Sequence, residues 1–218
     1  MNRFQICKAE KIRVIPLGFD LDRFAHNQDE KRNAFRTKYK IAEDEIAIGI
    51  IGRLVPIKNH TLFLEVLKRV SEQTTKKIRA FIIGDGEMRA EIENKASALG
   101  LPFSDEHYQS APPLLTFTSW IHQIDVAIAG LDIITMTSLN EGTPVSLIEA
   151  QAGSRPIVST NVGGVEDVVK AGETALLAAS GDAQRLANHL LRLIEDEAFR
   201  KHMSILGSRH ASEKFHVS

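Results

Sequence analysis

Residues 46–84 read IAIGIIGRLVPIKNHTLFLEVLKRVSEQTTKKIRAFIIG, and this stretch decides the fold. Ile46–Gly52 and Ile78–Gly84 are short, continuously apolar and rich in β-branched residues. Runs of that kind suit strands covered by helices on both faces. Between them Leu62, Val66, Leu67 and Val70 fall on one face of a helix. A strand, a crossover helix and a second strand form a right-handed unit, which brings both strand C-termini to one edge of a parallel sheet.

The alternation continues in both directions. Further strands are expected at Arg13–Leu17, Leu114–Thr118, Asp132–Thr135, Pro156–Ser159 and Thr174–Leu177. Leu186, Leu190, Leu191 and Ile194 mark another helix, with Asp182 as its N-cap. The repeated pattern predicts an α/β fold, a Rossmann-like, doubly wound parallel sheet. Gly100–Pro113 (GLPFSDEHYQSAPP) reads as an exposed loop. One domain is expected over residues 1–218, with neither repeats nor a low-complexity linker. The opening segment RVIPLGFDLDRF makes a poor beginning for a domain and needs a partner before it, so the termini are expected to be truncated. Asp20 and Asp22 in that segment read as turn formers.

Composition narrows the function. Of 218 residues, 43% are hydrophobic and 25% charged, ordinary for a globular domain. The net charge of −1 offers no bulk attraction to nucleic acid or an anionic membrane, so phosphate binding needs a local site. Cys7 is the one cysteine, which excludes an intrachain disulfide and reads as a packing residue. No apolar run approaches the ~18–20 residues of a transmembrane span, and MNRFQICKAEK has no signal-peptide core. A cytoplasmic address is the expectation, with peripheral membrane association left open for a longer protein.

Ligands of open parallel sheets lie beyond the carboxyl ends of the strands. Five such ends carry polar, charged and glycine residues here: Gly52–Lys58, Gly84-Asp85-Gly86, Ser119-Trp120, Thr137–Gly142 and Thr160–Gly164. Arg53 and Lys58, five positions apart, can offer a planar fork and a point charge to one phosphate-sized anion. As surface cations they would merely be solvated. Gly163-Gly164 before Val165–Val169 reads as a phosphate nest or an ordinary turn. In Glu141-Gly-Thr-Pro-Val-Ser-Leu-Ile-Glu149, Thr143 suits a helix cap and Pro144 the first helical position. Glu141 then precedes the helix and Glu149 lies ~7–8 Å inside it, so the two acids reach different hydroxyl groups. A carboxylate that accepts from both hydroxyls of a ribose suits Glu149; a solvated helix position is the alternative. His60 opens a helix beside Lys58 and could reach a ligand, whereas the other histidines read as structural or solvent-facing. No His/Cys/Asp cluster has metal-ligand spacing.

The segments PLGFDLDRF, GRLVPIKN, IIGDGEMR, SLNEGTPVSLIEAQAGSRPIVSTNVGGVEDVV and GETALL resemble, in order and spacing, the C-terminal domain of group 1 retaining glycosyltransferases of GT-B fold. The resemblance runs from about Ile12 to His202. It implies that Arg53 and Lys58 bind the diphosphate of a nucleotide-sugar donor. Glu141 lies near the sugar hydroxyls and Glu149 at the ribose. Gly142, Thr143 and Pro144 lie beside sugar and phosphates, while Gly52, Gly84 and Gly86 line the cleft. Trp120 and Ile121 match the wall of the nucleobase, and Val162, Gly163 and Gly164 a loop facing the cleft. It further implies metal-independent transfer without a cofactor, an acceptor domain and a closing terminal helix that this chain lacks, and weak donor binding by the fragment alone. A nucleotide-sugar 2-epimerase and a non-catalytic nucleotide-sugar-binding module remain rivals. A dinucleotide oxidoreductase is weaker, because GDGEMR lacks the third glycine of the fingerprint.

Overall fold

Covering a strand on both faces makes every residue in it a core residue, and the sheet shows this directly. The computed structural model describes residues 18–105 and 112–217. Among them β1 (Ile46–Ile51), β2 (Ile78–Ile83), β3 (Phe103–Asp105), β4 (Leu115–Phe117), β5 (Ile133–Met136), β6 (Ile157–Thr160) and β7 (Ala175–Ala178) form one sheet in the order β3-β4-β2-β1-β5-β6-β7. All of its pairings are parallel. In β2, Ile78, Ala80 and Ile82 enter one core while Phe81 and Ile83 enter the other.

Helices α3 (His60–Gln73), α4 (Arg89–Ala98) and α8 (Ala183–Glu195) pack on the first core. The second lies under α1 (Asp22–Ala25), α2 (Gln28–Lys38), α5 (Ile124–Gly130), α6 (Val145–Ala152) and the short α7 (Val165–Val168). Helix α9 (Glu197–Phe215) runs from the first core, where Met203 packs, to the second, where Ala211 and Phe215 pack. The helical faces expected at 62/66/67/70 and at 186/190/194 are buried, with Leu191 at the margin. Asp182 caps α8 by accepting from the Arg185 N–H at 2.9 Å. Asp20 likewise accepts from the Asp22 N–H at 3.2 Å, the expected turn.

The loop expected over Gly100–Pro113 is partly wrong: Phe103–Asp105 forms the edge strand β3. It needs only one neighbour, β4, and the Phe103 ring rests edge-on against Phe117 at 5.5 Å. Residues 106–111 of that loop, the strand expected at Arg13–Leu17 and Cys7 lie outside the described residues.

At the amino edge of the sheet, Asp132 ties α2 to the strands. Its carboxylate accepts from the Ala47 N–H at 2.7 Å, from Arg32 at 2.8 Å and from Arg36 at 3.2 Å. Its side chain is 13% exposed, so each lone pair that loses a partner is costly to desolvate. Asp132→Ala removes the one carboxylate that Arg32, Arg36 and the Ala47 N–H share, leaving the two guanidinium groups with carbonyl acceptors alone, and is expected to lower stability by about 3 kcal/mol in urea unfolding. Lys77→Ala, which removes an exposed pair with Asp44, is expected to leave the midpoint unchanged.

Candidate functional site

From β1 the chain crosses by α3 on one face of the sheet, and from β5 it crosses by α6 on the other. β1 and β5 are neighbours, so their onward connections part beyond their carboxyl ends, the place where open parallel sheets form a crevice. The Arg/Lys loop follows β1, and the loop carrying Glu141 follows β5.

These loops are bound to each other by main chain as well as side chains. The Leu139 N–H donates to the Ile57 carbonyl at 2.8 Å, and the Thr137 hydroxyl donates to the Asn59 carbonyl at 3.0 Å. Lys58 ends the short 3-10 turn Pro56–Lys58, and its ammonium donates to Glu141 Oε1 at 2.7 Å. The hydroxyl of Ser138, itself fully buried, donates to the same oxygen at 2.6 Å. Arg53 behaves differently. It is exposed, and its guanidinium has no hydrogen-bond or ion-pair partner among the described residues.

Glycines allow the loops to touch. A Cβ on Gly163, whose φ is 52°, would lie 1.9 Å from the Glu141 carbonyl oxygen, and one on Gly164 equally close to that of Gly142. Only hydrogen fits at either position, and the Gly164 N–H donates to the Glu141 carbonyl at 3.0 Å. That bond uses an N–H that a phosphate nest would have offered, so here Gly163-Gly164 props the Glu141 loop. Gly84 and Gly86 similarly press on the backbone of Gly52 and Leu54. Gly142 is exposed with open space around it.

Glu149 is half-buried in α6 and has no hydrogen-bond or ion-pair partner among the described residues. Burial pushes its carboxyl above the usual carboxylate range, with Arg23 opposing that rise and Asp125 adding to it. Trp120 is 54% exposed beyond β4 and Ile121 half-buried beside it. The expected cap needs correcting. Helix α6 begins at Val145 with Pro144 in the cap position, and Thr143 is exposed and makes no cap bond. The first helical carbonyl is that of Pro144, which accepts from the Leu147 N–H at 3.0 Å, so the helix starts one residue later than its sequence implies.

His60, expected to reach a ligand, is the first residue of α3 and 2% exposed, and neither ring nitrogen has a partner among the described residues. Burial, with Lys58 nearby, lowers its pKa to about 4. Thr137 and Ser138 lie in a strand end that the sequence marks as polar, but neither carries an assigned role there; a hydroxyl just past an apolar strand is the available signal. A cavity of about 550 Å³ opens elsewhere, on the amino edge beside Asp132, Arg155 and Arg200, with acidic side chains outnumbering basic ones. It is remote from the crevice.

The family model "Glycosyl transferases group 1" matches residues 31–209. A D-inositol 3-phosphate glycosyltransferase of Corynebacterium jeikeium is 27% identical over 208 residues, 93% of this chain and 48% of that protein. An Escherichia coli UDP-Gal:alpha-D-GlcNAc-diphosphoundecaprenol alpha-1,3-galactosyltransferase is 27% identical over 86% of this chain and 46% of its own length. The chain thus spans about half the length of these curated relatives. Among solved structures, Anabaena HepE with UDP and glucose superposes with a TM-score of 0.84 at 22% identity, over 98% of this chain and 55% of HepE. The C-terminal domain of the Francisella tularensis group 1 protein LpcC gives 0.76 at 23% identity, over 92% of this chain and all of that domain. At such identities these two establish the fold, one half of a GT-B architecture.

Gly164→Ala is expected to destabilise by at least about 2 kcal/mol, because its Cβ must displace backbone. Gly142→Ala, with open space, should leave the melting temperature unchanged. The unfolded chain protonates His60 near pH 6.5 and the folded protein only near 4. Stability from this group is therefore full above 6.5 and falls by about 3 kcal/mol as the pH drops to 4. His60→Leu should flatten the pH dependence of urea unfolding in that window.

Proposed function

This chain belongs to the group 1 glycosyltransferases, and on that premise we propose that it holds a nucleoside-diphosphate sugar for retaining transfer to an acceptor bound by another domain. The observation that carries the reading is the junction beyond β1 and β5, where the Lys58 ammonium meets the Glu141 carboxylate at 2.7 Å and the same loop carries Arg53, exposed and without a partner among the described residues. A cation with no partner at the mouth of a crevice is poised for an anion.

A diphosphate entering there takes the Arg53 fork and competes with Glu141 for the Lys58 ammonium. Glu141, partly released, turns an acceptor oxygen toward the hydroxyls of the donor sugar. Glu149 accepts from the ribose diol, which supplies the hydrogen bonds its half-buried carboxylate lacks among the described residues. When the bond between the sugar's anomeric carbon and the diphosphate oxygen breaks, negative charge grows on the diphosphate. Arg53 and Lys58 then stabilise the transition state more than the ground state. The fixed cations supply the neutralisation, so no cofactor enters the proposal. Retention follows from likeness to the family. UDP is the first ligand to try, since HepE was crystallised with UDP and glucose. Among the described residues no helix is long and apolar enough to cross a membrane.

Isothermal calorimetry with UDP, GDP and ADP tests the assignment. Arg53→Ala and Lys58→Ala are each expected to weaken binding roughly 10- to 100-fold, as befits lost hydrogen bonds to a charged group. Glu149→Ala should cost about 1–3 kcal/mol in nucleotide affinity. Turnover in the full-length protein should fall with the first two. Unaltered affinity in all three variants would remove the nucleotide from this crevice.

A further inference from the structure

One well-placed side chain has no part in the donor chemistry above. Arg89, the first residue of α4, follows the Gly84–Gly86 turn, and its N–H donates to the Gly86 carbonyl at 3.1 Å. Its guanidinium lies 4.6 Å from the centre of the Phe117 ring, pairs with Glu93 through Nε, and donates from Nη1 to the Ser119 hydroxyl at 3.3 Å. Phe117 is buried and braced by Phe103, so the cation rests on a fixed platform.

What Arg89 holds is unusual. Ser119 has φ 53°, the left-handed region that costs any residue with a Cβ. Its carbonyl accepts from the Gly84 N–H at 2.9 Å and from the Thr118 hydroxyl at 3.1 Å. The next residue is Trp120, whose indole projects into solvent at the carboxyl edge. The strained turn therefore decides where Trp120 stands, and Arg89 is the side chain that grips it.

We propose that Arg89 is a positioning residue for the nucleobase end of the donor, holding Ser119 in its left-handed turn and so fixing Trp120 as the wall of the base pocket. This rests on the reading of Trp120 as that wall. A residue acting only as a distant cation toward the diphosphate would need neither the stack on Phe117 nor the bond to Ser119.

Trp120 is the one tryptophan of the chain, so intrinsic fluorescence reports this position alone. In the unliganded protein, Arg89→Ala should lower the fluorescence anisotropy of Trp120, and it should raise the Kd for UDP by roughly tenfold. Adding Ser119→Gly to Arg89→Ala should restore most of the affinity, because glycine adopts the left-handed turn without the side chain that needed restraining. If Arg89→Ala leaves the anisotropy unchanged, or if Ser119→Gly rescues nothing while the affinity loss vanishes at high salt, Arg89 is a remote charge and the inference falls. Failure of the unmutated protein to bind any nucleoside diphosphate would instead sink the proposed function, while the anisotropy still decides whether Arg89 holds Trp120.

Discussion

The Lys58–Glu141 pair is held between two loops that have no reason to meet except the topology of the sheet. Lys58 leaves β1 toward one layer of helices and Glu141 leaves β5 toward the other, and their charged ends close the gap at 2.7 Å. An ion pair at a partly open site contributes modestly to stability, since both groups give up solvent to meet. Its value lies in preorganisation. Glu141 is only 10% exposed and has Ser138 on the same oxygen, so its carboxylate is held in one orientation. Lys58 is likewise anchored through the main chain of its turn.

The surroundings of that pair are built mainly from backbone. Gly163 and Gly164 press on the carbonyls of residues 141 and 142, and Gly84 and Gly86 on the backbone of 52 and 54. Side chains in these places would push the loops apart by more than a hydrogen bond tolerates. Close backbone approach is therefore what joins separate strand–helix junctions into one rigid edge. The polar side chains then differ by how far they are engaged. Lys58 and Glu141 satisfy each other, while Arg53 and Glu149 have no partner among the described residues. The same carboxyl edge thus holds side chains that the protein already pairs and, among the described residues, side chains that it does not.

The helices differ in how plainly their sequences show them, for a physical reason. α3 and α8 bury regular stripes of Leu, Val and Ile, so their period was visible. α9 turns Gly207, His210 and Ala211 toward α6, and His210 bonds to Gln151 at 3.0 Å. Small and polar residues at a helix contact leave no hydrophobic stripe. β3 was hidden because a three-residue edge strand makes its bonds with β4 and shows no periodicity of its own.

The amino-acid sequence by itself determined the α/β class, the parallel sheet, and which strand ends carry charge and glycine, because continuous apolar runs and helical spacing are local properties of the chain. It also exposed the Arg53, Lys58, Glu141 and Glu149 set through a resemblance resting on their order. Tertiary structure alone decided the engagement of each group. That Lys58 faces Glu141, that Gly164 spends its N–H on a carbonyl, that His60 is buried and neutral, and that Arg89 grips a strained Ser119 all depend on which loops the sheet order makes neighbours. Those contacts join residues far apart in the chain, and spacing along a chain carries no information about the distance between two loops until the strands beneath them are paired.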